Sequence, residues 1–204
     1  MPRAEQRIKP SAAKRLVVDA SVLRAASPEE STHPIGSRCR DMLKVILQEG
    51  HGAAVTDDIM DEWNRHDSRS ARRWRLRMSA RRRIVKVIPA DCTDVVTALR
   101  VTRLLSEPEI AAAENDMHLV AAARSADHSV LSLDEITRAI LRKLTAGTRV
   151  IDRLLWANPA NEYQALHGWL TGGEPAAPQW LLSAQTAAKE PRRPRRGPKG
   201  GQTP

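Results

Sequence analysis

Aromatic residues and cysteine are scarce in this chain of 204 residues, which has no Phe, one Tyr, five Trp and two Cys. With so few aromatic residues we expect an aliphatic core of Leu, Val, Ile and Ala. The hydrophobic fraction of 41% is sufficient for one folded domain. Cys39 and Cys92 lack metal-ligand spacing and are too few for a disulfide framework, which favours a reducing compartment.

Long apolar runs and a glycine-rich nucleotide motif are also missing. No window approaches the roughly 20 apolar residues that a membrane helix requires. Asp19 and Arg24 interrupt the apolar run near the N-terminus, so it does not fit a signal peptide. We therefore expect a cytoplasmic protein without a membrane partner. No G-x-G-x-x-G follows a predicted strand, which argues against a Rossmann-type nucleotide-binding protein.

The net charge of +9 is concentrated in two segments. Residues 69–86 contain eight Arg and one Lys without an acid, and residues 189–204 contain six basic residues and one acid. This distribution indicates a polyanionic partner. The predicted helix at 69–83 has only a weak apolar face, so we expect it to bury little and to contact nucleic acid. The candidate contact residues are Arg69, Arg72, Arg73, Arg75, Arg77, Arg81, Arg82 and Arg83.

The composition predicts three regions. Residues 1–15 form a basic arm, residues 16–170 form the domain that includes the basic helical segment 69–83, and residues 171–204 form a disordered, basic, Pro/Gly-rich tail. Two interpretations of the tail stay open: a nucleic-acid-binding arm and a solvated segment without a partner. A short helix is expected near residues 180–188.

Predicted strands alternate with predicted helices along residues 16–170. The strands are expected at 15–19, 53–56, 84–88, 129–133 and 149–151. We expect Ser37 to cap the second helix and Gly50 to close it. The alternation predicts an α/β fold with a mostly parallel sheet and helices on both faces.

Two acids dominate the stretch from residue 114 to residue 135. Asp116 lies at the start of an apolar helix face, and Asp134 follows a short buried strand. Each has a structural explanation, since Asp116 could favour the positive end of its helix and Asp134 could be an N-cap. Asp19 and Glu62 occupy comparable positions upstream. We therefore predict that the four acids converge at the carboxyl edge of the sheet.

Four carboxylates in one cleft repel one another, and a divalent cation bound between them would make their electrostatic energy favourable. Oxygen ligands without Cys or His suit one or two Mg²⁺ or Mn²⁺ ions. A hard ion held by carboxylates is suited to phosphodiester hydrolysis, and a basic helix binds phosphates without sequence preference. These features predict a metal-dependent nuclease.

Four motifs resemble the PIN domain, a ribonuclease family that includes VapC-like toxins of toxin–antitoxin pairs and RNA-processing enzymes. The motifs are LVVDAS, TDDIMDEW, NDMHLVAAA and VLSLD, within residues 16–151. The resemblance implies a three-layer α/β/α sandwich that hydrolyses RNA with Mg²⁺ or Mn²⁺. It implies RNA as a partner and, for a toxin, an antitoxin protein; a homodimer is an open alternative.

Carried over by position, the resemblance implies that Asp19, Glu62, Asp116 and Asp134 are catalytic metal ligands, supported by the hydroxyls of Ser21 and Ser132. Asp57, Asp58 and Asp61 compete with Glu62 for the second position. We choose Glu62 because it shares a helix face with Ile59 and Trp63.

Three further side chains have two interpretations each. We expect His66 and His118 to be solvated rather than proton donors. Trp74 either stacks on an unpaired base or packs against its own neighbours.

Two functional hypotheses follow from the sequence. The first is a metal-dependent endoribonuclease, with a toxin role and a housekeeping role both open. The second is a PIN-like RNA- or DNA-binding module without catalytic activity.

Overall fold

The computed structural model of the chain describes residues 12–28, 30–172 and 174–184. Five short strands alternate with helices in these residues. The strands are β1 (Arg15–Val18), β2 (Gly52–Val55), β3 (Ile84–Lys86), β4 (Ser129–Leu131) and β5 (Leu155–Ala157). The helices are α1 (Ala20–Ala25), α2 (Pro34–Gln48), α3 (Asp57–His66), α4 (Arg69–Ala80), α5 (Thr93–Val101), α6 (Glu107–Asn115), α7 (Met117–Arg124), α8 (Glu135–Thr145) and α9 (Tyr163–Leu170).

The strands form one parallel sheet in the order β3-β2-β1-β4-β5. In the register of the central pair, Val17 lies beside Val130 and Val18 beside Leu131. The predicted α/β fold is therefore confirmed. The chain builds outward from β1 to β2 and β3 on one side and to β4 and β5 on the other. The strand order thus reverses between β1 and β4, where such sheets place their ligand crevices.

Helices flank the sheet in two groups and complete a three-layer α/β/α sandwich. The first group contains α1, α2, α4 and α9, and the second contains α5, α6, α7 and α8, with α7 against β1, β2 and β4. Helix α3 contacts both α1 and α7. Within the residues described, none of the helices has the length and apolarity needed to traverse a lipid bilayer.

All five tryptophans belong to the core. The prediction of a purely aliphatic core is therefore wrong. Trp63, Trp156 and Trp180 are fully buried, and Trp74 and Trp169 are nearly so. Trp63 and Trp74 pack edge to face at 5.8 Å between ring centroids, and Trp169 and Trp180 do so at 5.5 Å. Large aromatic rings bury more apolar area than aliphatic side chains, so a few of them contribute strongly.

The basic helix α4 also contributes to the core, and the prediction that it buries little is wrong. Ala71, Trp74 and Met78 are buried on one face of α4, at the i, i+3, i+7 spacing of an amphipathic helix. Leu76 lies off this buried face and is 67% exposed. The arginines therefore surround a narrow apolar stripe.

Two predicted element positions differ in the structure. Helix α2 begins at Pro34, with His33 rather than Ser37 at its N-cap, because proline is well tolerated in a first helical turn. Gly50 does follow this helix and has a φ of 73°, the left-handed geometry that glycine permits. The last strand is Leu155–Ala157, and the segment predicted as that strand, residues 149–151, forms turns.

The domain extends beyond the predicted boundary at Leu170. Trp180 and Leu182 are buried, and the backbone N–H of Leu182 donates to the carbonyl of Leu154 at 3.0 Å. Leu181 forms an antiparallel bridge with Leu155 of β5. Residues 174–184 are therefore part of the fold. The predicted arm at residues 1–15 is not loose at its described end, because Arg15 begins β1 and the backbone N–H of Lys14 donates to His51 Nδ1 at 3.1 Å. Residues 1–11 of that arm and the basic tail at residues 185–204 lie outside the described residues.

Candidate active site at the carboxyl edge of the sheet

Asp19 lies immediately after β1, at the point where the strand order reverses. It is the N-cap of α1, and its Oδ1 accepts a hydrogen bond from the backbone N–H of Ser21 at 3.2 Å. Its own N–H donates to the carbonyl of Leu131 at 2.9 Å. The backbone of Asp19 is thus tied to β4, and its half-buried side chain projects from the carboxyl edge of the sheet.

Two serine hydroxyls hold the second oxygen of Asp19. Ser21 Oγ donates to Asp19 Oδ2 at 2.5 Å, and Ser132 Oγ donates to the same atom at 2.6 Å. Ser21 Oγ also accepts from the backbone N–H of Leu133 at 3.1 Å. Both serines selected from the sequence therefore contact Asp19, and together they join the ends of β1 and β4.

Asp134 and Asp116 are linked to the same chain of hydrogen bonds. The N–H of Asp134 donates to Ser132 Oγ at 3.0 Å, and its Oδ1 accepts from the N–H of Thr137 at 2.8 Å. Thr137 Oγ1 in turn donates to Asp116 Oδ2 at 2.6 Å. Asp134 is thus the N-cap that one structural explanation expected, and it also connects the other two aspartates.

Asp116 lies between α6 and α7, at the N-cap position of α7, which agrees with its predicted place at the start of an apolar helix face. Burial raises the pKa of its carboxyl group, and the negative charges of Asp134 and Asp19 raise it further. The hydrogen bond from Thr137 and the charge of His118 act in the opposite direction. The three aspartates are thus close enough to repel one another, as the sequence predicted.

Glu62 reaches this cluster through His118, which the sequence had suggested was merely solvated. His118 Nε2 lies 3.1 Å from Glu62 Oε2, and His118 Nδ1 lies 3.0 Å from the carbonyl of Asn115. The exposed fractions of the His118 and Glu62 side chains are 13% and 29%. The contact connects α3 to the first turn of α7, next to Asp116.

The three acids that compete with Glu62 face away from the cluster. Asp57 is exposed and pairs with Lys86 at 2.6 Å. Asp58 and Asp61 are exposed, and neither carboxylate has an ion-pair or hydrogen-bond partner among the residues described. His66 is likewise exposed and has no side-chain contact with the site in the described chain.

The ligand atoms at this site are of the kind that a hard cation prefers, but their spacing does not match a metal-binding geometry. Carboxylate and hydroxyl oxygens of Asp19, Asp116, Asp134, Ser21 and Ser132 are ligands of the kind that Mg²⁺ and Mn²⁺ prefer. No Lys or Arg forms an ion pair with these aspartates within the described residues, so their charge is balanced only by neutral donors and His118. In the same residues, no three His, Cys, Asp or Glu side chains form a group with metal-binding geometry.

The eight predicted nucleic-acid-binding arginines differ in their contacts. Arg72 and Arg75 pair with Asp67 at 3.1 and 2.8 Å, and Arg81 donates to the carbonyl of Leu47 at 3.2 Å. Arg83 is half-buried, next to Gly50. In the part of the chain that is described, no acceptor lies within hydrogen-bond distance of the remaining four guanidinium groups, those of Arg69, Arg73, Arg77 and Arg82.

Trp74 has no exposed ring face for a base. Its side chain is 5% exposed and packs against Trp63, so the packing interpretation is the one that the structure supports.

Two residues of the site escaped the sequence interpretation. Thr137 is buried one turn into α8, and its position three residues after Asp134 was the available signal. His118 follows Asp116 by two residues, but its contact with Glu62 joins helices that are 56 positions apart in sequence.

No family model, curated protein or solved structure matches this chain.

Proposed function

We propose that the protein is a metal-dependent endoribonuclease that hydrolyses RNA phosphodiester bonds at the carboxyl edge of the sheet. The observation that carries this proposal is the convergence of Asp19, Asp116 and Asp134 on one chain of serine and threonine hydroxyls. These acids come from three separate segments and have no cationic Lys or Arg partner within the described chain. A site with that charge balance favours a divalent cation.

The chain's own residues orient the acids. Ser21 and Ser132 fix Asp19 Oδ2, and Thr137 fixes Asp116 Oδ2, so the reactive geometry does not depend on flexible side chains. Asp19, Asp116 and Asp134 would hold Mg²⁺ or Mn²⁺, with Glu62 acting directly or through water. Such an ion supplies the positive charge and activated water that phosphodiester hydrolysis requires.

RNA is proposed as the substrate on two grounds. The four acidic motifs resemble those of PIN-domain ribonucleases, and the basic helix α4 carries exposed arginines that suit a phosphate backbone. A toxin role within a toxin–antitoxin pair is part of the same proposal. Growth arrest after induction of the wild-type gene, absent with Asp19→Asn, is the expected result for a toxin.

The test is cleavage of single-stranded RNA with Mg²⁺ or Mn²⁺. We expect Asp19→Asn and Asp116→Asn each to lower the rate by at least about 100-fold, comparable to removal of one electrostatic stabiliser of a transition state. Asp61→Asn is the matched control, because this acid is exposed on α3 outside the cluster. Cleavage that survives both site variants would refute the mechanism. Binding of RNA without cleavage by the wild type would favour the inactive binding module instead.

A further inference from the structure

We propose that the groove between α2 and α4 binds the phosphate backbone of single-stranded RNA through the cations on its rim. This inference rests on the proposed ribonuclease function and names the subsite that would hold the substrate. It assigns RNA contacts to residues of α2, which the sequence analysis did not consider.

The floor of the groove is apolar and closed, so a ligand would meet the rim. Leu43 and Leu47 of α2 and Trp74 of α4 line a cavity of about 140 Å³. These three side chains are 2%, 7% and 5% exposed, which leaves little apolar surface for contact.

The rim presents cations from both helices. Arg40 and Lys44 lie one turn apart on α2, and Arg73 and Arg77 lie one turn apart on α4. Like charges at i, i+4 destabilise a helix, and an anion between them reverses that effect. Cations from two helices that face one groove therefore suit a phosphate group.

The two walls differ in how their charges are compensated. Asp41 lies 3.4 Å from Arg40 and 4.0 Å from Lys44, and Arg40 also donates to Ser37 Oγ and to the Pro28 carbonyl. Within the described residues, Arg73 and Arg77 have no such partner. The α2 cations are thus held in place, and the α4 cations remain for a ligand.

The groove lies within reach of the candidate active site. Helix α1 starts directly after Asp19, and its six residues span about 9 Å. At the other end of α1, the hydroxyls of Ser68 and Ser70 donate to the carbonyls of Ala26 and Ser27, and Ser70 lines the groove. At about 3.4 Å per stacked nucleotide, roughly three nucleotides would connect the two sites.

The test measures RNA binding separately from cleavage. Fluorescence anisotropy would follow a labelled single-stranded 10-nucleotide RNA with EDTA present, over a series of salt concentrations. We expect the double variant Arg73→Gln/Arg77→Gln to weaken binding by at least about tenfold. Because each phosphate neutralised contributes about 0.7 to the salt slope, the slope should fall by about 1.4 when two arginines are replaced. Equal binding by the variant and the wild type would overturn the proposal.

The matched control is Arg149→Gln/Arg153→Gln. Both arginines are exposed before β5 and lack side-chain partners in the described chain, so the net charge changes by the same amount. We expect less than about a threefold change, the residual effect of general electrostatics. An equal loss of affinity in the control would show that overall charge, and not the groove, binds RNA. Thermal melts of both variants establish that each remains folded.

Two further probes test the nature of the occupant. An RNA of equal length without bases should bind the wild type with less than about a threefold change in affinity, because the rim contacts phosphates. A loss of about tenfold or more would show that base contacts carry the binding and would overturn the proposal. Displacement of RNA by poly-glutamate at equal charge would instead identify an acidic protein segment as the occupant and overturn the RNA assignment.

Failure of this inference and failure of the proposed function give different results. Groove binding is measured without a divalent cation and does not require Asp19. If Asp19→Asn cleaves normally, the proposed mechanism fails while the groove measurement still stands. If the groove variant binds normally but Asp19→Asn is inactive, only the groove inference fails.

Discussion

Two acidic clusters lie side by side at the carboxyl edge of the sheet, and they are neutralised in different ways. In one cluster, Asp19, Asp116 and Asp134 accept hydrogen bonds, within the described residues, only from hydroxyl and backbone N–H groups. In the other, Glu135 and Glu162 surround the guanidinium of Arg138 at 3.1–3.4 Å. Asp134 and Glu135 are neighbours in sequence, so the two clusters are adjacent.

The difference separates a structural role from a functional one. Arg138 is 5% exposed and also donates to the carbonyl of Gln179 at 3.0 Å, so its cluster fastens the C-terminal segment to α8. The aspartate cluster has no internal cation among the described residues. Acids that carry their own counter-ion stabilise the fold, and acids that lack one are suited to an external ion.

Replacement of Arg138, the cation inside the glutamate cluster, is expected to have the largest effect on stability. Arg138→Met would leave Glu162 partly buried without its cationic partner and would leave Arg142 as the remaining donor to the Gln179 carbonyl. We expect the free energy of unfolding to fall by about 3–5 kcal/mol, the usual result of breaking a buried ion pair. Urea unfolding followed by tryptophan fluorescence measures this change.

The control for that variant is Arg149→Met, an exposed site where a change within about 0.5 kcal/mol is expected. If Arg138→Met costs no more than this control, the glutamate cluster is not the structural fastening described here.

Adding an external cation is expected to act on the aspartate cluster alone. A ligand at 100 times its dissociation constant stabilises the folded state by about 2.7 kcal/mol, so Mn²⁺ or Mg²⁺ should raise the melting temperature of the wild type. Asp19→Asn should abolish this increment, and Glu162→Gln should retain it even if its own melting temperature is lower. Differential scanning calorimetry with and without the ion gives both numbers.

If the ion raises the melting temperature of Asp19→Asn as much as that of the wild type, the ion binds outside the aspartate cluster. If the ion does not raise the melting temperature of the wild type, the aspartate cluster does not bind a cation and the two clusters do not differ in function.

The smallest expected effect concerns the charge of Asp116. Its pKa is raised, chiefly by burial, so the folded state favours the protonated carboxyl group. The associated stability is fully present below the ordinary pKa of 3.8 and is lost as the pH rises through the folded-state pKa. At pH 7 the ionised wild type therefore carries a penalty that Asp116→Asn removes.

Without divalent cations, Asp116→Asn should be slightly more stable than the wild type at pH 7, by less than the about 1 kcal/mol typical of point mutations. The difference should shrink as the pH is lowered towards 3.8. Urea unfolding in EDTA at pH 7 and pH 4 tests the sign. A variant that is less stable at pH 7 would mean that the Thr137 hydrogen bond to the carboxylate outweighs burial and repulsion.

Much of the fold was predictable because local patterns are strong in this chain. The apolar run ending at Asp19 and the cap at Asp134 mark β1 and α8 without tertiary information. Helix α3 spans Asp57–His66, because Thr56 caps it and the buried Ile59 and Trp63 share the face that the sequence pattern indicated. Residues 155–157 were missed because the β-branched pair Val150 and Ile151, a few residues upstream, favoured a strand there instead.

The basic helix and the C-terminal segment were misjudged for a common reason. Each segment buries one tryptophan, namely Trp74 in α4 and Trp180 after residue 174. Composition and charge are averages over many residues, and they therefore underestimate how much apolar surface a single tryptophan side chain can bury. Whether such a ring finds a partner, as Trp74 does in Trp63 and Trp180 in Trp169, depends on distant parts of the chain.

The sequence by itself determined the alternation of strands and helices, and it identified the acids at the ends of β1 and β4, because periodicity and capping are local properties. Only the tertiary structure decided which acids have a cation of their own. It brought Thr137 into hydrogen-bond contact with Asp116, His118 into contact with Glu62, and Arg138 into contact with Glu162. Those pairings depend on how helices pack across the sheet, and the distances involved have no counterpart in sequence spacing.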